Sequence, residues 1–223
     1  TLLAAVVLQT AFHYETVVGH SSEGRHSLSF SSLIAKECIF YSLIAGLFSM
    51  GNGIVNSFLV LLGESSKIAQ ISLFFSVNAI VLFVLRLLVG KVIDRANLLF
   101  IVNLSLLAGA GSMILIGKSG ILVPILIAAA IKAFGNVGGQ ISLQSACVKR
   151  VDAARIGVAT STYYIGADIG QGLGPIWGGK VAEQFGYEGV FFCMAGFFLL
   201  GVICFTAYQL HLNQKTASET VIQ

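Results

Sequence analysis

Residues 98–117 read Leu98-Leu-Phe-Ile-Val-Asn-Leu-Ser-Leu-Leu-Ala-Gly-Ala-Gly-Ser-Met-Ile-Leu-Ile-Gly117, with no charged side chain among them. An α-helix rises about 1.5 Å per residue, so this run is roughly 30 Å long, the thickness of a bilayer's hydrocarbon core. A continuous apolar run of that length reads as a membrane-spanning helix. It does not read as a barrel strand, which would alternate over about ten residues.

Working outward, five more stretches have the same character: Leu33–Leu62, Gln70–Val89, Ile121–Val148, Ile156–Val181 and Gly189–Leu210. The whole chain agrees. Of its 223 residues, 56% are hydrophobic and 10% charged, where a soluble domain carries roughly 25% charged residues. Too little charge is present to cover a water-soluble surface, so the expected fold is an all-α membrane protein with six transmembrane helices. A formal net charge of +3 gives no reason to expect a nucleic-acid partner.

Residues 1–12 are already apolar, lack a basic leader region, and read as the end of a preceding transmembrane helix. The chain is therefore expected to be a fragment. Residues 13–32, rich in Ser, Gly and His, read as a linker, residues 33–212 as the six-helix domain and residues 213–223 as a tail. Basic residues in short loops set orientation. Nine (Arg25, Lys36, Arg86, Lys91, Arg95, Lys149, Arg150, Arg155 and Lys215) lie on one side, and three (Lys67, Lys118 and Lys180) on the other. The richer side is expected to be cytoplasmic, which puts the linker and the C-terminus there.

Cys38, Cys147, Cys193 and Cys204 are scattered through apolar runs without C-x-x-C spacing, and read as packing residues. No metal site or cofactor is expected. An enzyme is not expected either: there is no H-E-x-x-H, no G-x-S-x-G and no second deep acid to pair with Asp168.

Function is expected where polarity interrupts the apolar runs. The fifth stretch carries Gly166, Gly170, Gly174 and Gly178 at steps of four, one stripe on which another helix could approach closely. Pro175 within it removes a backbone hydrogen bond and is expected to bend the helix. Ser161, Tyr164, Asp168 and Gln171 share a different face, because Asp168 stands roughly 200° of rotation from Gly166 and Gly170. A carboxylate so deep in a span is costly and normally faces a bundle interior or watery cavity. It suits a proton-binding site, the alternative being a hydrogen-bonded structural acid. In the fourth stretch Lys132, Asn136, Gln140 and Gln144 form a polar row at steps of four. Lys132 could pair with Asp168 or snorkel to the membrane surface. In the first stretch Ser49, Asn52 and Asn56 share a face, where amides either bind solute hydroxyls or bridge helices. The loop Arg86-Leu-Leu-Val-Gly90-Lys-Val-Ile-Asp94-Arg95 offers a glycine exit from the helix and an ion pair at the membrane surface, either a latch or an orientation anchor.

These residues resemble the major facilitator superfamily. Gly90-x-x-x-Asp94-Arg95 is similar to that family's cytoplasmic loop signature. Gly170-x-x-x-Gly174-Pro175-x-x-Gly178-Gly179 is similar to its antiporter signature in a fifth helix. The resemblance implies one half, helices seven to twelve, of a twelve-helix fold that alternates access by rocking its halves. It implies a partner in the absent N-terminal six-helix half, the lipid bilayer as solvent, and a small solute and protons as cargo. The residence implied is the plasma (inner) membrane. Arg86, Gly90, Asp94 and Arg95 would form a gate, while Gly166, Gly170, Gly174, Pro175, Gly178 and Gly179 would shape the bend and close packing. Two departures stand out: Arg95 is followed by Ala96-Asn97-Leu98-Leu99 in place of glycine and basic residues, and Ser161 stands where the antiporter signature has a glycine. The expected activity is proton-coupled efflux of a small molecule. The alternatives are proton-coupled uptake of a sugar or small acid, and a membrane receptor or scaffold that does not transport.

Overall fold

The computed structural model describes residues 34–93 and 97–221, which are helical with no strand among them. The residue 1–12 stub, the 13–32 linker, Asp94 and Arg95 lie outside the described residues. A 3-10 turn at Lys36–Cys38 leads into α1 (Ile39–Ser65), followed by α2 (Leu73–Ile93), α3 (Leu98–Lys118) and α4 (Leu122–Val148). A second 3-10 turn, Ala153–Arg155, opens the helical stretch Ile156–Val221, which breaks at Gly186 (φ 71°, ψ 177°). We call its two parts α5 (156–185) and α6 (187–221).

Contacts with α1 show that the break is a reversal. Along α5, Ser42 meets Gly166, Gly46 meets Gly170, Met50 meets Gly174 and Phe58 meets Gly178. The numbers rise together, so α1 and α5 run parallel. Along α6, Phe58 meets Tyr187, Phe48 meets Phe198 and Phe40 stacks on Tyr208 at 3.8 Å. There one number falls as the other rises, so α6 is antiparallel to both. The sequence suggested a connection between Val181 and Gly189, but helix persists on both sides of one residue. Only glycine readily adopts this backbone conformation.

Four stretches among the described residues are long and apolar enough to cross a membrane: Lys36–Ser65, Leu98–Lys118, Leu122–Val148 and Ala153–Leu212. The last contains the reversal. The apolar stretch found in α2, Leu73–Leu88, is shorter.

Helix ends and seams follow local chemistry. α1 closes with a Schellman arrangement: Ile68 N donates to the Gly63 carbonyl at 2.8 Å and Lys67 N to Glu64 at 3.2 Å. Lys67 takes the left-handed position, φ 54°, that glycine usually fills. The Asn97 side chain caps α3 by accepting from Leu99 N at 3.0 Å. α3 and α4 meet at small residues, with Gly135 against the Ser105 carbonyl. Several polar residues inside the spans find partners across helices, as a medium without water favours. Asn78 of α2 donates to the Ala129 carbonyl at 3.0 Å, and Asn103 of α3 to Thr206 Oγ1 of α6 at 2.8 Å. At one end of the bundle Arg150 lies over the Tyr41 ring, 4.8 Å from its centroid, and Gln209 donates to the Tyr41 hydroxyl at 3.4 Å. That cluster ties α1, α6 and the α4–α5 connection together.

Candidate functional site

The glycines of α5 sit against α1, at backbone distance. A Cβ on Gly174 would lie 2.6 Å from the Met50 carbonyl oxygen, and one on Gly166 at 2.6 Å from that of Ser42. One on Gly170 would overlap the Gly46 backbone, and one on Gly178 would meet the Phe58 ring at 2.6 Å. Gly53 of α1 returns the arrangement, facing the Gln171 carbonyl and the Pro175 ring. Gly179 and Gly172 face open space. Pro175 lies inside the helix, and the non-helical backbone falls at Gly186 instead. The large change of direction therefore comes from glycine conformation and not from proline.

Because its glycine edge is committed to α1, the rest of α5 points elsewhere. Tyr164, Asp168 and Gln171 are all exposed. Tyr164 OH accepts from Gln144 Nε2 at 3.3 Å, so the Tyr164 face of α5 meets the polar row of α4. The neighbouring Tyr163, which the sequence reading passed over, is buried and donates to the Gln140 carbonyl at 3.0 Å. Ser42, also passed over, donates to the Thr162 carbonyl at 2.6 Å. The signal for both was available: Tyr163 stands three residues before Gly166 and Ser42 one turn before Gly46, and a hydroxyl buried beside a glycine seam in lipid must find an acceptor.

The second centre lies between α1 and α4. Lys132 is 8% exposed, and its ammonium donates to Asn52 Oδ1 at 2.5 Å. Asn136, one turn along α4, donates to the same oxygen at 3.2 Å, and Asn52 Nδ2 donates back to Asn136 Oδ1 at 3.3 Å. One amide oxygen thus accepts from both an ammonium and an amide. Phe48, Met113 and Phe198 wall a cavity of about 10 Å³ beside Asn52, Lys132 and Asn136. That is room for roughly one water-sized group. Along α4, Asn136, Gln140 and Gln144 are half-buried, so the polar row is less covered than the lysine at its start, and Asn56 of α1 is exposed. Ser49 is buried.

Lys132 and Asp168 are not brought together. The lysine is engaged by Asn52 within the bundle, while Asp168 is on the outward face of α5. Of the gate residues, Arg86 is exposed and Gly90 lies within the backbone of α2. The helix does not exit at Gly90 as the sequence suggested but runs on to Ile93. Nothing forces a glycine to end a helix when its φ/ψ remain helical. Cys38 and Cys147 are buried, the former donating to the Cys147 carbonyl at 3.5 Å, whereas Cys193 and Cys204 are exposed.

Apolar helices joined through glycine seams, with a lysine–amide cluster between two of them, define a polytopic membrane protein with a polar interior. The sequence family decides what kind. The model of the Major Facilitator Superfamily matches residues 41–220, well over half of the chain, and the chain belongs to that family. It is a membrane transporter of small solutes, from a family of transporters and not of enzymes. No curated protein and no solved structure matched the chain.

Proposed function

We propose that this chain forms one six-helix half of a proton-coupled exporter of small molecules, working by alternating access with a second half against its exposed α5 face. The observation that carries this reading is the position of Asp168. It is an acid near the middle of α5, exposed on the isolated unit, on a helix whose opposite edge is fixed to α1. Acids at that depth face polar cavities and not hydrocarbon, so the Asp168 face borders the solute path and takes up the coupling proton. Tyr164 and Gln171 share that border, and the lysine–amide cluster forms its deeper wall. Arg86, Gly90, Asp94 and Arg95 gate the cytoplasmic end. The predominance of basic residues in that set of loops supports a cytoplasmic C-terminus, and the plasma membrane is the residence that goes with this reading.

The test uses the full-length protein in proteoliposomes loaded with a pH-sensitive dye. Lipophilic cations, sugars and small acids are added in turn, with and without an imposed pH gradient. Solute-dependent proton movement opposite to solute flux, lost in Asp168→Asn and kept in Asp168→Glu, supports the exporter. Movement in the same direction as the solute makes the protein an uptake symporter. Solute flux that ignores the gradient in both wild type and Asp168→Asn removes the coupling role from Asp168.

A further inference from the structure

Lys132 carries a charge that the fold does not balance. It is buried between α1 and α4, its hydrogen-bond partner is the neutral Asn52 amide, and no other charged group acts on it among the described residues. Placing an ammonium in a low-dielectric interior is costly unless a counter-charge compensates. Structural buried lysines are paired with carboxylates; here two amides stand where a carboxylate would be expected. Asn52 Oδ1 is shared between Lys132 and Asn136, so a single neutral oxygen serves two donors. An ammonium has three donors, and among the described residues one is engaged.

The surroundings narrow what could complete the site. Phe48, Met113 and Phe198 are apolar walls, and the adjoining cavity of about 10 Å³ fits one oxygen-sized group. Asn136 and Gln140 are half-buried and continue the row along α4. From these features we infer that Lys132, Asn52 and Asn136 form a site for the carboxylate of an apolar monocarboxylate. One carboxylate oxygen enters the cavity next to Lys132, and the second accepts from the Asn136 amide. The solute supplies the missing counter-charge, and the aliphatic or aromatic body lies along the α4 row toward the path. This deepens the transport reading, on which it rests, by stating the chemical class of the solute.

The experiment measures binding, so it is independent of proton coupling. The full-length protein, in detergent and chloride-free buffer, is titrated with acetate, butyrate and benzoate, and with benzamide as the uncharged counterpart of benzoate. The readout is the midpoint of thermal unfolding. Carboxylates are expected to raise the midpoint and benzamide to leave it unchanged. Lys132→Gln is expected to weaken half-saturation by about tenfold or more, the factor matching one net charge-assisted hydrogen bond, and Lys132→Arg to retain the response. Asn52→Asp provides a built-in carboxylate at the oxygen that already faces the ammonium, so it is expected to fold and lose the response even if Lys132→Gln folds poorly. A response in Lys132→Gln or Asn52→Asp equal to wild type, an equal response to benzamide, or no response to any carboxylate overturns the site. Carboxylate protection without proton-coupled movement in proteoliposomes would leave this site standing and remove the exporter reading. Coupled movement without carboxylate protection does the reverse.

Discussion

The carbonyl group of Gly46 occupies the space that a side chain on Gly170 would need. In lipid, helices gain nothing from hiding apolar surface against each other, so close van der Waals approach and hydrogen bonds hold them together. Successive glycines along α5 let α1 come to backbone distance, and the Ser42–Thr162 hydrogen bond reinforces the same seam. The pair behaves as one unit, which fixes the direction in which the Asp168 face points.

Alanine at Gly170 is expected to destabilise the protein by about 1–3 kcal/mol, the usual cost of overpacking a tight contact. Alanine at Gly172, two residues away and facing open space, is expected to change stability by no more than about 0.5 kcal/mol. Unfolding of the two purified variants in detergent compares them directly. Equal losses would mean that glycine content, and not the seam, is what matters.

At Gly186 the constraint is conformational and not steric, since a Cβ there would meet nothing within 4 Å. The φ/ψ pair of 71° and 177° belongs to a region that essentially only glycine visits. Gly186→Ala is therefore expected to cost about 1–3 kcal/mol. Gly186→Asn is expected to cost as much, because asparagine relieves the ordinary left-handed region and not this one. A clear rescue by asparagine in unfolding measurements would contradict the extended, positive-φ turn.

Asn52 and Asn56 share a face of α1 but differ in what depends on them. Removing the Asn52 side chain leaves the Lys132 ammonium without its acceptor, at a cost of about 1.5–3 kcal/mol. Asn56 is exposed, and Asn56→Ala is expected to stay within about 0.5 kcal/mol of wild type. If the two substitutions prove equivalent, the ammonium has another acceptor within reach.

The Arg150–Tyr41–Gln209 cluster separates into parts. Tyr41→Phe keeps the ring under Arg150 and loses only the hydroxyl that accepts from Gln209, for about 0.5–1.5 kcal/mol. Tyr41→Ala also empties a fully buried site and is expected to cost about 3–5 kcal/mol. A double-substitution cycle of Tyr41→Phe with Gln209→Ala measures the hydrogen bond itself. Additive effects in that cycle would show that the 3.4 Å contact contributes no coupling.

Much of the fold was legible because its solvent was legible. Each apolar stretch that falls among the described residues corresponds to a helix, and the glycine steps at 166, 170, 174 and 178 mark the edge that packs. What failed were the connections. Gly90 suggests an exit in the sequence but lies in a continuing helix, while Gly186, which carries no motif around it, reverses the chain. Glycine permits a break without requiring one; whether it breaks depends on what the flanking helices pack against. Lys132, Asn52, Asn136 and Asp168 were each visible as polarity inside apolar runs. Their pairing was not.

The sequence alone determined that lipid is the solvent, that the chain is helical, and which face of each helix is polar. These are local properties, written in composition and in spacing of three to four residues. The tertiary structure decided that Lys132 meets Asn52, 80 residues away, and that Asp168 points out of the bundle. The reason is geometric. The partner of a side chain depends on how helices rotate and slide against one another, and glycine contacts between distant segments set that relation.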